Sequence, residues 1–210
     1  MDPSLRNEAH RLWTAVSAAE PETRALARFL ADWPAAAPPA PQPRPAPCEP
    51  AAPLPVLRWL PRMALDADRF GGVFVETLCR AAGSLDWRQT YSLADAGESF
   101  LRNYGWAELV RPAAATGFVQ ISCGVLVLGP NTFYPAHRHE AEEIYLPLAG
   151  TAEWQQGDAG WRRRSPGTLI HHSSEEPHAM RTGEHPLLAM YLWRSVDLRQ
   201  RARLDRRSAG

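Results

Sequence analysis

The stretch His137-Arg138-His139-Glu140-Ala141-Glu142-Glu143-Ile144-Tyr145 brings two imidazoles, a carboxylate and a phenol within nine residues. Along a strand, side chains alternate with a period of two. His137 and His139 therefore share one side, and Glu143 and Tyr145 share one side of the strand that follows. If that side faces the protein interior, four ionisable groups converge. Such burial is costly unless the groups are paired, and a divalent cation resolves it. Imidazole and carboxylate with open positions suit iron, manganese, zinc, cobalt or nickel, and the residue types do not choose among them. His178, directly after Pro177, is a further candidate ligand, with His171, His172 and His185 as competitors. Adjacent His171 and His172 point to opposite faces of a strand, so at most one of them faces in. His178 is favoured because it opens a strand after a polar turn. The plainer role for Tyr145 is an aromatic wall, and its parity with Glu143 is what draws it toward the cluster. Glu140 and Glu142 read as solvated turn residues, with Glu142 facing away, and Arg162–Arg164 reads as a solvated strand edge.

The elements that must position this cluster are legible in the pattern. Residues 118–128 are rich in apolar and β-branched types and end at Gly129-Pro130-Asn131, a turn. Short strand-like pieces follow at 132–137, 142–148, 151–155, 161–164, 168–172, 177–182 and 187–193, separated by turn signals such as Ala149-Gly150 and Pro166-Gly167. Many short strands at regular spacing predict an antiparallel barrel or sandwich over 116–195.

The region before it is helical in character. Asp2 caps and Pro3 opens a first helix carrying Leu5, Ala9, Leu12, Trp13 and Val16. Pro21 stops it, and Leu26, Phe29, Leu30 and Trp33 mark a second, so 1–33 reads as a helical hairpin. Its apolar stripe needs cover, from the β-domain or in a homodimer interface. Residues 34–55 hold ten of the 20 prolines and read as an extended linker. Helical character resumes over 56–115, with Trp59, Leu60 and Met63 on one face and Phe70, Val73, Phe74, Leu78 and Ala81 on a longer one. Leu85–Tyr91 is aromatic and is expected across a core edge. Phe100, Leu101 and Tyr104 read as a short helix ending near Gly105. The Arg-rich end, 196–210, reads as a solvated tail.

Composition excludes several classes of function. The 210 residues carry a formal net charge of zero, so no global field favours nucleic acid. All 23 basic residues are arginine, which excludes a lysine Schiff base or lysine general base. Cys48, Cys79 and Cys123 are odd in number and widely spaced, as expected of reduced thiols, and Cys123 sits in an apolar run as a buried, inert one. No window approaches about 18 continuous apolar residues, so no membrane span is expected. With no basic-then-apolar leader, a cytoplasmic location is the expectation.

The residues also carry a resemblance. Gly129, His137-x-His139-x-x-x-Glu143 and Gly150 resemble the first motif of cupins, and Pro166 through His172 to Pro177-His178 resembles a diverged second motif. The strings TFYPAHRHEAEEIYLPLAGTAEW, PGTLIHH and PHAMRT, with SLDWRQTY and YGW upstream, resemble the dimethylsulfoniopropionate (DMSP) lyases of the DddL/DddQ type over roughly 84–195. The resemblance implies a small antiparallel cupin barrel, jelly-roll-like, preceded by helices. It implies His139, Glu143 and His178 as metal ligands, with His137 a ligand or immediately behind them. It implies Tyr145 as the base, Tyr134 as a group that positions substrate and Trp193 as an aromatic beside it. The implied reaction is β-elimination of DMSP to dimethyl sulfide and acrylate, with no redox change. A cupin dioxygenase with ferrous iron and a non-catalytic small-molecule-binding cupin are the alternatives, since this fold hosts many functions.

Overall fold

The computed structural model describes residues 3–19, 24–33, 53–67, 71–110 and 118–205. Asp2, Pro21, Cys48, Phe70, most of the proline-rich segment and the last five residues, on which several of the expectations above fall, lie outside them. In chain order the helices are α1 (Pro3–Ala19), α2 (Arg24–Ala31), α3 (Leu60–Asp66), α4 (Gly72–Ala81) and α5 (Leu93–Leu101). The strands are β1 (Trp87–Arg88), β2 (Tyr104–Val110), β3 (Gln120–Leu128), β4 (Phe133–Arg138), β5 (Glu142–Ala149), β6 (Ala152–Gln156), β7 (Arg162–Arg164), β8 (Ile170–His172), β9 (His178–Thr182), β10 (Leu187–Ser195) and β11 (Arg203–Leu204).

The strands form two antiparallel sheets. One has the order β1-β2-β3-β10-β5-β8, the other β11-β4-β9-β6-β7. The expectation of a mainly β protein with N-terminal helices holds. The expected barrel does not close: among the described residues no strand joins one sheet to the other. The edges explain this, because β1, β7, β8 and β11 are each only two or three residues long and offer too few hydrogen bonds to bridge the sheets.

The larger sheet is covered on both faces, and the period of two assigns its residues. Ile121, Cys123, Val125 and Val127 of β3, with Ile144, Leu146 and Leu148 of β5 and Leu188, Met190 and Leu192 of β10, pack in one core with the helices. The alternate residues, including Leu126, Tyr145, Ala189 and Tyr191, pack toward the second sheet. Onto the helix side go Leu5, Ala9, Leu12, Trp13 and Val16 of α1 and Leu26 and Phe29 of α2, all buried. The hairpin's stripe is thus covered by the sheet and by α4. A buried side chain such as Phe29 contributes roughly 2–3 kcal/mol. Cys123 lies fully buried there, and burial pushes its thiol up to about 12, an inert group. No helix among the described residues is long and apolar enough to cross a membrane.

Two elements differ from the sequence reading. The helix α5 ends at Leu101, and Tyr104 opens β2, an inner strand of the larger sheet. Its start is fixed by a capping box, in which Ser92 Oγ accepts from the Asp95 amide and the Asp95 carboxylate accepts from the Ser92 amide. The Arg-rich end is also not a free tail throughout: Arg203 and Leu204 pair with Arg138 and His137 of β4. Arg138 pairs with Asp205, and Arg203 with Glu175.

At the β5–β6 turn, Gly150 has a φ of 78°, and a Cβ there would overlap the Pro186 carbonyl oxygen. Gly150→Ala is expected to lower stability by about 2 kcal/mol or more, combining left-handed strain with backbone overlap. The midpoint of urea unfolding checks it.

Candidate metal centre and active-site cavity

The cluster forms where β4, β5, β9 and β10 face each other. His137 of β4 pairs directly with His178 of β9. On the opposite sheet Glu143 of β5 lies between His172 of β8 and Trp193 of β10. His139 follows the end of β4. His137, His139, Glu143 and His178 are all at most 2% exposed.

Each histidine is oriented by the backbone. His137 Nδ1 donates to Pro135 O (2.9 Å), His139 Nδ1 to Ala141 O (2.8 Å) and His178 Nδ1 to Glu176 O (2.9 Å). A carbonyl facing Nδ1 fixes the proton there, which leaves Nε2 as a lone pair in the neutral ring. The lone pairs of two of these rings converge on one carboxylate oxygen. Glu143 Oε2 lies 2.9 Å from His139 Nε2 and 3.3 Å from His178 Nε2. Nε2 of His178 is buried without a hydrogen-bond partner. Lone pair against lone pair is unfavourable unless a proton or a cation stands between them.

Ligand atoms of His139, Glu143 and His178 all lie within 4.8 Å of one another, so the three can hold a metal ion. Two imidazole nitrogens and one carboxylate oxygen are a donor set that divalent transition metals accept, with positions left open. His137 lies outside this group of three. Its ring stacks on Tyr134 at 4.0 Å and meets His178 edge-on at 4.2 Å.

The electrostatics follow from burial and from Glu143. Burial, then neighbouring His178, hold His137 well below the ordinary histidine range and keep it neutral. Burial opposes charge on His139 too, but the Glu143 carboxylate more than offsets it and His139 is raised. Glu143 is held well below the usual carboxylate range: burial pushes it up, and His139 and His178 outweigh that. Metal binding must displace the proton that His139 retains. Metal affinity is therefore expected to fall as pH drops through a His139 pKa lying above the ordinary value of about 6.5. Competition titration against a chromophoric chelator between acid and neutral pH checks it.

A cavity of about 340 Å³ opens beside the cluster. Tyr104, Tyr134, His137, Glu143, Tyr145, Tyr191 and Trp193 line its inner part. All five tyrosines of the chain, including Tyr91, belong to this one aromatic cluster. Tyr134 accepts or donates a hydrogen bond with Tyr91 at 3.0 Å. Trp193 Nε1 donates to Glu143 Oε1 at 2.6 Å and its ring lies 4.2 Å from His139. Tyr145 is 5% exposed; burial first and the Glu143 carboxylate second hold its hydroxyl well above the ordinary range.

The structure therefore brings His137, His139, Glu143, His178, Tyr134, Tyr145 and Trp193 together, and of these Tyr134, His137, Glu143, Tyr145 and Trp193 line the cavity. Of the competitors, His171 and His185 lie outside it: His171 meets Glu142 at 2.8 Å, and exposed His185 meets Arg62. His172 is fully buried and stacks on His178 at 4.0 Å, behind the cluster. Glu142, read as a solvated turn residue, is instead a hub: it pairs with Arg28 of α2 at 2.6 Å, ties to His171 and has Arg194 at 3.7 Å. Several contributions were missed. Trp106 and Glu108 reach the cavity from β2, Gln89 and Thr90 from the segment before α5, and residues 198–202 cross its mouth. The alternation Tyr104-Trp106-Glu108 was a signal for the first of these; nothing in the Arg-rich composition announced the last.

Two facing antiparallel sheets with a buried histidine–carboxylate cluster beside an aromatic cavity define a class of β-sandwich proteins built around a metal-type site between the sheets. The chain belongs to the DMSP lyase (dimethylsulfoniopropionate lyase) family, whose sequence profile matches residues 40–189. It is 36% identical over 115 residues to dimethylsulfoniopropionate lyase DddQ of Ruegeria pomeroyi, a match covering 54% of this chain; the chain spans 57% of the length of that curated relative. The crystal structure of DMSP lyase DddQ from Ruegeria pomeroyi DSS-3 superposes with a TM-score of 0.69 at 27% identity, covering 100% of both chains. A structure from the DMSP lyases RdDddP and RnDddQII gives 0.68 at 28% identity, covering 96% of this chain and 100% of that one.

Proposed function

We propose that this protein is a metal-dependent carbon–sulfur lyase that cleaves DMSP to dimethyl sulfide and acrylate. The observation that carries the reading is the convergence of two imidazole lone pairs and the Glu143 carboxylate beside a buried tyrosine, in an aromatic cavity of a chain belonging to this family. His139, Glu143 and His178 would hold the metal, with His137 beside them. A divalent cation there would supply positive charge that stabilises the negative charge developing on the substrate carboxylate and eases loss of the Tyr145 proton.

The chain's own residues do the rest. With its own proton given up to solvent, the Tyr145 phenolate takes the proton from the carbon next to the carboxylate. The electrons of that bond form the double bond, the carbon–sulfur bond breaks, and dimethyl sulfide leaves with its electron pair, so no oxidant is needed. Tyr145 is suited to the role by position, two residues beyond Glu143 on the same side of β5. Tyr134, held by Tyr91 and stacked on His137, orients the substrate. Trp193 fixes Glu143 Oε1 and offers an aromatic face to the sulfonium.

The test is turnover of DMSP by purified protein, with dimethyl sulfide read in the headspace. Activity is expected to disappear with chelator, to return with at least one of iron, manganese, zinc, cobalt or nickel, and to persist without oxygen. Turnover that requires oxygen would favour the dioxygenase instead.

A further inference from the structure

An inner strand of the larger sheet, β3, carries a single glycine, Gly124, buried near its middle. Glycine weakens a strand interior, and its usual reason for being there is that something else needs the room. Its direct register partner on β10 is Tyr191, so both positions face the second sheet. A Cβ at Gly124 would lie 2.5 Å from Tyr191 Cζ and 2.5 Å from the Ala107 carbonyl oxygen of β2, and closer still to the Tyr191 hydroxyl. A Cβ stands only one bond above its strand, whereas an upright tyrosine would carry its hydroxyl well clear of the sheet. Tyr191 is therefore laid down across β3, the end of its ring resting where position 124 has no side chain.

A reclining ring leaves space above it. The rows on either side keep their side chains: Leu126 pairs with Trp106 of β2 in one, and Ser122 with Trp193 of β10 in the other. All four, with Tyr191 between them, line the cavity. Tyr191 is also the register partner of Tyr145, and Trp193 of Glu143, so the hollow begins at Tyr145 and Glu143 and runs across β10 to Gly124. The Tyr145 and Tyr191 rings meet edge-on at 6.5 Å, and the Tyr191 and Trp193 rings lie 6.1 Å apart. A substrate whose carboxylate sits at the histidine cluster extends over the Tyr191 ring. An aromatic face beneath it suits a cation, and an indole on either side limits the width of whatever that cation carries.

We propose that Tyr191, laid flat across Gly124, is a specificity-determining residue: its ring is the floor under the onium group of the substrate and sets how large the alkyl groups on that onium can be. This rests on the lyase reading for the identity of the substrate, but its test reads binding alone. Leucine at 191 stays apolar and is too short to cover Gly124, so it lowers the floor and removes the aromatic face. Phenylalanine keeps both.

The experiment measures calorimetric binding of two probes of equal charge to metal-loaded protein: the trimethylammonium analogue of DMSP and its triethylammonium homologue. Wild type is expected to prefer the smaller probe by about tenfold or more, the discrimination that added methylenes meet in a fixed pocket. Tyr191→Leu is expected to bring the ratio to near one, the larger probe gaining from the deeper floor and the smaller losing roughly two- to fivefold with the aromatic face. Tyr191→Phe is expected to keep the wild-type ratio. A wild type that binds neither probe, or both equally, overturns the proposal, as does a Tyr191→Leu variant that keeps the preference or a Tyr191→Phe variant that loses it. If Tyr191→Leu does not fold, Tyr191→Ile, also too short to cover Gly124, is read in its place. A protein whose size preference is abolished by Tyr191→Leu but which releases no dimethyl sulfide would overturn the lyase reading and leave the role of Tyr191 standing.

Discussion

Tyr145→Phe is expected to lower dimethyl sulfide release by about 10²–10⁴-fold, the range over which a positioned general base contributes. The phenyl ring fills the same space among Trp154, His172, His178 and Tyr191, so the cavity wall is preserved. Metal content, set by His139, Glu143 and His178, should largely survive. The variant therefore separates two roles that the sequence alone leaves merged, an aromatic wall and a base. Stopped assays at saturating substrate, with metal measured by mass spectrometry on the same sample, decide between them. Full activity in Tyr145→Phe would mean that another group takes the proton, and Tyr134 would be the next to test.

The second large effect is expected at Glu143. Glu143→Gln keeps the shape and the acceptor for Trp193 Nε1, yet removes the charge on which two imidazole lone pairs converge. Metal affinity should fall by more than the roughly 10–100-fold that loss of an outer hydrogen-bonding partner costs. Activity should vanish with it. Stability should fall as well: in the metal-free protein His139 and His178 hold the Glu143 carboxyl below the usual carboxylate range, so its charge stabilises the fold at neutral pH and metal-free Glu143→Gln is expected to be less stable than metal-free wild type. Equilibrium dialysis with zinc and urea unfolding of the metal-free proteins read the two halves of this prediction. Unchanged metal affinity would remove Glu143 from the ligand set.

Much of this arrangement was legible because strand alternation is a local property. The parity of Glu143 and Tyr145, the turn at Ala149-Gly150 and the eight strands of 120–195 follow from patterns a few residues long. Elsewhere local patterns misled. Phe100, Leu101 and Tyr104 sit at helical spacing, yet Tyr104 opens β2, because Tyr104, Trp106 and Glu108 alternate toward the cavity while Ala107 and Leu109 enter the helix-side core. Tyr134 and His137 differ in parity but both line the cavity, since the β4–β9 register shifts between them. No sequence pattern records an irregularity of that kind.

Long-range pairing was the least readable part. That β10 lies between β3 and β5, and so sets Trp193 against Glu143, is a matter of topology. The same holds for β11, whose two residues pair with the edge of β4. Arg203 pairs with Glu175 and Gln200 with Glu140, so a segment that composition marks as solvated runs across the cavity mouth. Glu142 belongs with these cases. Its partners Arg28 and Arg194 come from α2 and β10, 114 residues away in the first case, and they tie the N-terminal helices to the strand that carries Glu143.

The most direct test of the account follows one hydrogen. DMSP deuterated at both positions of the carbon next to the carboxylate is incubated with metal-loaded protein, and the three-carbon product is weighed by mass spectrometry alongside the dimethyl sulfide released. Abstraction by Tyr145 followed by β-elimination predicts acrylate retaining one deuterium, equimolar with dimethyl sulfide. A hydroxylated propionate retaining both deuteriums, or no dimethyl sulfide with any of iron, manganese, zinc, cobalt or nickel, would contradict it.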